Sequence, residues 1–435
     1  MLLVPFARLA SQAGPDHSVT PKNWWLSGQL NVIYQWHRSF DAVYTGPHSL
    51  RPVRESATST VATVYSGLRL GRRVELLFDL ESAGGHGISE AFGLAGFSNL
   101  DVVRNPTLGA GPYVARALIR STFALSRDTE PHAAELHSLL PSLPVRRLSI
   151  AFGKFGIVDF FDLNGPGSDS HLQFLNWTID NSGAYDYAAD TRGYTIGGLA
   201  ELRDGRWALR WAETLMPAVA NGIKYDWHVD HAHADNVEVE LDRGIIPHRD
   251  GAIRLLGFLN HATMGSYQEA LDAFAAGRDS VLDVAAHRRV GRIKRGVSVN
   301  LEQSIGRGIN LFARAARNDG GVESFAYTEV DHSAELGAAW VARSQRNRGG
   351  LALARNGIGM QHRLYLARGG LGFLLGDGAL NYGAEQIVEG YFTRMVIAGF
   401  SLAADVQHIV HPGYNRDRGP VTIFAIRAHL DVPGK

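Results

Sequence analysis

The chain has 435 residues, with 43 basic and 43 acidic side chains and no cysteine. Zero formal charge argues against a nucleic-acid partner, which needs a basic face, and the absence of cysteine excludes disulfides, thiolate catalysis and cysteine metal sites. No run of about 18 apolar residues occurs, which excludes a membrane-spanning helix but not a strand-built span, since a barrel strand needs only about ten residues of alternating character.

The start, MLLVPFARLA, is too short and too interrupted by Pro5 and Arg8 for a full export signal. Either the true start lies upstream or export follows another route. Residues 1–22 read as a tail, 23–432 as one unit and 433–435 as a second tail. From Gly28 a two-residue period sets in. Leu30, Val32, Tyr34 and Trp36 share one face, and Gln29, Asn31, Gln35 and His37 the other. Val74, Leu76, Phe78 and Leu80 alternate with Arg73, Glu75 and Asp79. Trp207, Leu209 and Trp211 alternate with Arg206 and Arg210, and Val237, Val239 and Leu241 with Asn236, Glu238 and Glu240. Ser266, three residues before Glu269, makes a capping box for a helix carrying Ala270, Leu271, Phe274 and Ala275. Ile293 to Glu302 alternates again, and His362 to Leu371 reads as a short helical turn closed by Gly369-Gly370. Val396 to Gln407 and Phe424 to Asp431 complete the pattern.

Alternation alone fits a soluble sandwich with apolar faces inward or a membrane barrel with them outward. Three features favour the barrel. The segments often reach ten residues, whereas soluble strands average about five or six. Trp24, Trp25, Trp36, Tyr327, Trp340, Tyr391 and Phe392 lie near segment ends, which suits interfacial girdles. Asn318-Asp319-Gly320-Gly321 reads as a tight turn between late strands. The expectation is an all-β, closed antiparallel up-and-down transmembrane barrel of about 16 to 18 strands, with short helices in loops.

Ordered stretches resemble the carbohydrate-selective outer-membrane porins of the OprB family from about Trp24 to Val432. They include SGQLNVIYQ (Ser27 to Gln35), YTGPHSL (Tyr44 to Leu50), GKFGIVDFFDLN (Gly153 to Asn164) and QFLNWTIDNSGAYDYAADTRGYTIG (Gln173 to Gly197). NLEQ at Asn300, RAARNDG at Arg314, YTEVDHS at Tyr327, GDGALNYGAEQ at Gly376 and HPGYNRDRGP at His411 follow in order. The resemblance implies a 16-stranded outer-membrane barrel that passes sugars, and it implies no catalytic mechanism; the expectation is a channel and not an enzyme. Members usually end on an aromatic residue, where this chain has Val432 followed by Pro433, Gly434 and Lys435.

A sugar channel needs donors and acceptors that replace water, with binding weak enough for release. Arginine dominates the cations here, and its planar fork suits fixed polar surfaces. The pore-lining candidates are Lys154, Asp162, Arg192, Arg206, Arg210, Glu302, Arg314, Asp405, Arg416, Arg427 and His429. The stretch YDYAADTRGY (Tyr185 to Tyr194) reads equally as an inward fold or a turn into a strand. Asn415-Arg416-Asp417-Arg418 reads as a loop that locks the closure. His228, His231 and His233 with Asp226, Asp230 and Asp235 read as a polar loop rather than a metal site. No phosphate loop, GxSxG or HExxH motif occurs, and no cofactor is assigned. The partners expected are sugar solutes, outer-membrane lipid and the outer-membrane assembly machinery, as a monomer or a trimer. The rival readings are a soluble all-β carbohydrate-binding protein or hydrolase and a polysaccharide-export barrel. The balance of arginine and acid disfavours a path built for a polyanion.

Overall fold

The computed structural model describes residues 23–103, 108–132, 136–432 and 434; the expected N-terminal tail, Pro433 and Lys435 lie outside the described residues. The first strands are β1 (Trp24–His37), β2 (Glu55–Leu70), β3 (Val74–Gly85) and β4 (Tyr113–Ala124). A separate two-stranded hairpin follows, β5 (Thr129–Pro131) with β6 (Ser142–Pro144). Then come β7 (Arg146–Phe155), β8 (Thr195–Asp204), β9 (Trp207–Leu215), β10 (His233–Leu241), β11 (Gly251–Gly265) and β12 (Arg288–Gly306). The last are β13 (Ile309–Asn318), β14 (His332–Val341), β15 (Asn347–Gly357), β16 (Glu385–Ile397), β17 (Phe400–Val410) and β18 (Val421–Val432). All but β5 and β6 form one closed antiparallel barrel of 16 strands, with β1 sealed to β18 at pairs such as Tyr34 with Ile426. The two extra strands of the 18-strand alternative are this side hairpin.

Burial along the strands decides which way the alternation points. On β10, Glu238 and Glu240 are 0% exposed while Val239 between them is 47% exposed. A soluble β-protein would show the reverse. Leu336, Leu353 and Val388 form a continuous outward row across β14, β15 and β16, and all three are exposed. Trp24, Trp340 and Phe392 also face outward. Tyr327 and Tyr391, expected in the girdle, are buried instead against Trp177 and Phe174, at ring distances of 5.4 and 4.8 Å. Sequence position near a strand end did not specify the side of the wall.

Most connections at one end are tight, as at Gly205-Arg206, Arg307-Gly308 and Ala398-Gly399; both strand termini Trp24 and Val432 and the longer β4–β7 connection with its side hairpin also lie there. Long connections gather at the other, which in such barrels is extracellular. The stretch from Asn318 to Gly321 belongs to this long end: it opens a 319–331 connection that folds inward, not a tight turn. Helix α2 (Tyr267–Ala275) is capped as expected, with Ser266 Oγ accepting from the Glu269 amide at 3.4 Å. The Glu269 carboxylate does not complete the box; it pairs with Arg292 at 2.5 Å. Helix α3 (Met360–Ala367) lies against α2, and its His362 stacks on Tyr267 at 4.3 Å.

In a membrane, replacing Leu353 by Arg puts a charge into hydrocarbon and costs about 2–4 kcal/mol near the midplane, measured by denaturant titration of barrel folded into bilayers. A second test concerns the extracellular cap. Burial disfavours charge on His362, but Asp331 and Glu329, at 3.3 and 3.5 Å, outweigh it and push its pKa up to about 9. The folded value lies above that of an unfolded histidine, so this stabilisation is complete below about pH 6.5 and is lost as pH rises through about 9. Amide exchange across residues 360–367 should therefore speed up over that window, beyond its intrinsic base catalysis. In His362→Gln the added acceleration should vanish.

Candidate functional site

The 156–194 connection between β7 and β8 does not leave the barrel. It turns into the lumen, and almost every residue from Leu172 to Asp190 is buried. Local signals shape it: Asn176 caps the single turn α1 (Trp177–Asp180) by accepting from the Thr178 amide at 3.0 Å. Backbone groups along it are satisfied by charged residues of the wall. Glu238 accepts the Asp162 amide at 2.8 Å, Glu302 the Gly165 amide at 2.9 Å and Glu389 the Leu175 amide at 2.5 Å. Arg314 donates to the carbonyls of Ile179 and Asp180 at 2.7 and 3.0 Å, and Arg427 to those of Ser170 and Gln173 at 2.5 and 3.0 Å. A buried carboxylate or guanidinium thus meets the unpaired N–H or C=O of a non-helical backbone, and each removes the other's desolvation penalty.

Further connections do the same. Residues 86–103 lie on β1, β2, β16 and β17: Asn31 binds Asp101 at 2.6 Å, Asn99 binds Ser59 at 2.9 Å, and Glu385 accepts the Ala95 and Gly96 amides at 3.0 and 2.7 Å. There Gly93, with φ of 82°, passes so close to Leu50 that a Cβ would overlap its backbone. Residues 323–331 meet the first segment through Asp186, which accepts the Phe325 and Ala326 amides at 2.9 and 2.8 Å. Phe97, Trp177, Tyr187 and Tyr327 bury one another where the segments meet.

The inner face of β3 and β4 is met by residues 137–139 in the same manner, Glu75 accepting the Leu139 amide at 2.5 Å and Arg120 donating to the His137 carbonyl at 2.6 Å, and it also pairs charges across the two strands. Acids on β3 oppose cations and a tyrosine on β4: Glu75 with Arg120 at 2.8 Å, Asp79 with Arg116 at 3.3 Å, and Glu81 with the Tyr113 hydroxyl at 2.6 Å. Arg116 also clasps Asp159 of the infolded segment through two bonds of 2.6 and 2.7 Å. Glu81 accepts a second hydroxyl, that of Tyr194, at 2.9 Å. Arg192 lies 3.7 Å over the Tyr113 ring, while Arg116 and Lys154 lie 5.4 and 5.7 Å from the Tyr194 ring. The side chains of Arg116, Asp159 and Lys154 keep partial exposure.

The sequence candidates divide among these settings. Lys154 and Arg192 belong to the tyrosine cluster. Arg210 is central to a buried ion ladder, with Glu201, Glu238 and Glu240 at 2.7, 2.7 and 3.0 Å. Arg314, Glu302 and Arg427 hold the infolded segment, and Asp162 is the part of it that Arg314 meets at 3.4 Å. Asp405 is buried beside Gln407, and His429 stacks on His171 at 5.5 Å. Arg206 is exposed in the turn between β8 and β9, one residue before the alternation begins, and Arg416 is exposed on the extracellular end. In that last loop Arg418 is the internal residue, bonded to the carbonyls of Tyr44 and Leu50. The YDYAADTRGY stretch folds inward.

Sequence reasoning passed over Glu81, Tyr113, Arg116 and Asp159. Arg116 and Arg120, four apart, carried an inward signal, but the β3–β4 register shift beside Asp79 hides its phase. Asp159 lies inside the quoted GKFGIVDFFDLN run, where nothing in the sequence names its arginine. Replacing Arg314 by Ala leaves Asp162 and Glu335 buried without their cation, which costs about 3–5 kcal/mol. Denaturant unfolding should show that loss, and single-channel conductance should rise as the segment loosens.

The sequence matches the family described as carbohydrate-selective porin, OprB family, over residues 48–431. No curated protein matches it in sequence. The high-pH structure of Pseudomonas putida OprB superposes with a TM-score of 0.67 at 12% identity, covering 94% of each chain. The outer membrane channel DcaP of Acinetobacter baumannii superposes with a TM-score of 0.50 at 11% identity, covering 93% of this chain and 96% of its own. Such identities show a common barrel fold, and the match across most of the sequence shows more: this chain belongs to the carbohydrate-selective porins of the OprB family, in the bacterial outer membrane.

Proposed function

We propose that carbohydrate diffuses passively along the wall where the ends of β3 and β7 meet the starts of β4 and β8, beside Glu81, Tyr113, Lys154 and Tyr194. No bond is made or broken in the solute. The observation that carries this reading is the Glu81 carboxylate bridging the hydroxyls of Tyr113 and Tyr194, with Arg192, Arg116 and Lys154 at their rings. A sugar presents hydroxyls around its rim and C–H groups on its faces. Here it meets the half-buried Tyr113 ring beside donors and acceptors of both signs, so hydration is exchanged rather than lost. A wall of both signs suits a neutral solute better than a polyanion. The same reading has the assembly machinery insert the barrel, with outer-membrane lipid around its apolar belt.

Planar-bilayer recording tests this. Mono- and disaccharides should reduce the ion current in a concentration-dependent way. Tyr194→Ala, which removes a ring contact and a hydroxyl, should raise the half-effect concentration by about tenfold, equivalent to about 1.4 kcal/mol. Arg206→Ala should leave it unchanged. Conductance indifferent to every sugar would remove the assignment.

A further inference from the structure

The histidine-rich stretch after β9 is not used by the lumen, and the structure divides it. Asp226, His228 and His231 stay on the loop, where His228 and His231 are engaged by Asp226 and Asp230 at 2.6 and 3.1 Å. His233 and Asp235 instead lie on β10, two residues apart and on its outward face with Val237 and Val239. Strand register brings His261 of β11 directly opposite His233. That partner, 28 positions away, could not be paired with the stretch from sequence.

The two imidazoles stack at 4.4 Å with planes 15° apart, and His233 Nε2 stands 3.6 Å from Asp235 Oδ2. One ligand atom from each of the three residues lies within 4.8 Å of the others. A tetrahedral zinc site with bonds of about 2.0–2.1 Å sets its ligand atoms about 3.3 Å apart, so one pair is nearly in place and small ring rotations close the rest. His233 Nδ1 is buried without a hydrogen-bond partner. The other Asp235 oxygen accepts from Trp211 Nε1 at 3.4 Å, the outer contact that orients a metal-binding carboxylate. The hydrogen-bonded ladder of β10 and β11 fixes all three backbones, and His233 begins β10 at the end where the long connections lie.

We propose that His233, Asp235 and His261 form a binding site for a divalent ion of the zinc class on the outer rim of the barrel, apart from the sugar path. Two neutral imidazoles and one carboxylate supply a donor set of the right softness, and water completes the coordination. The bound ion would cross-link β10 and β11 where the long connections begin.

The test uses the full chain folded in detergent, stripped with EDTA and titrated with Zn²⁺ by calorimetry. One saturable site is expected, weakened at least about tenfold by His261→Ala and by Asp235→Asn, and untouched by His228→Ala. Folding of each variant is checked by heat-modified migration. His261→Gln keeps the side chain's bulk and hydrogen bonding should the alanine variant fail to fold. Absence of saturable binding in the unaltered chain overturns the proposal. So does binding that persists at full strength when His261 is replaced, since the ion would then sit on the loop.

Discussion

Hydrocarbon offers no partner to a backbone N–H or C=O, so a membrane-spanning sheet must close on itself. The seam between β1 and β18 meets that demand, and everything else follows from it. Closure gives each strand one lipid face and one lumen face. Residues at alternate positions are therefore sorted by solvent, with Val237 and Val239 outward and Glu238 and Glu240 inward. Sorting polar groups into a narrow lumen creates a second demand. Charges such as Glu389, Arg314 and Arg427 are fully buried there, and an unpaired buried charge is far costlier than a paired one.

Two answers to that second demand share the wall. On β8 to β12 the charges answer one another: Arg203, Arg210 and Arg254 interleave with Glu201, Glu238, Glu240 and Glu302. Glu238 and Glu302 of that ladder, together with Arg314, Glu389 and Arg427 beyond it, answer the irregular backbone of the infolded segments, with carboxylates taking amides and guanidiniums taking carbonyls. The second arrangement is also a positioning device. Glu302, Arg314, Glu389 and Arg427 hold the 156–194 segment against β12, β13, β16 and β18, and Arg116 holds its Asp159 against β4. The space left in the lumen thus depends as much on what the anchors cover as on the wall's own residues.

The barrel itself was readable because its signal is local and repeated: a side chain's parity along a strand needs no knowledge of its neighbours. The α2 cap was readable for the same reason, since Ser266 and Glu269 are one turn apart. Parity failed where strands end. Arg206 and Arg210 share a parity, yet Arg206 lies in the turn and Arg210 is buried among three acids. Tyr327 and Tyr391 look like girdle residues from position, but their partners Trp177 and Phe174 come from a segment more than 100 residues away. The same limit hid the role of Arg314, whose carbonyl partners are set by an inward fold that composition does not announce. The family resemblance supplied strand count and export compartment, neither of which periodicity fixes.

The β3–β4 columns bear on why a neutral, hydroxyl-rich solute suits this wall. Two unit charges 4 Å apart attract by about 4 kcal/mol at an effective dielectric of 20. Arg116 spends that attraction on Asp79 and Asp159, and Arg120 on Glu75, so neither offers an incoming ion a free countercharge. A small anion drawn to Arg116 meets Asp79 within the same contact distance, and a cation drawn to Asp79 meets Arg116. What remains is the hydrogen-bonding capacity of the partly exposed Arg116 and Lys154 side chains, whose outer N–H groups bond to water. Sugar hydroxyls can take over those bonds one at a time, each worth only about 0.5–1.5 kcal/mol net. That sum favours entry without trapping, whereas a hydrocarbon solute would strip the same water and return nothing.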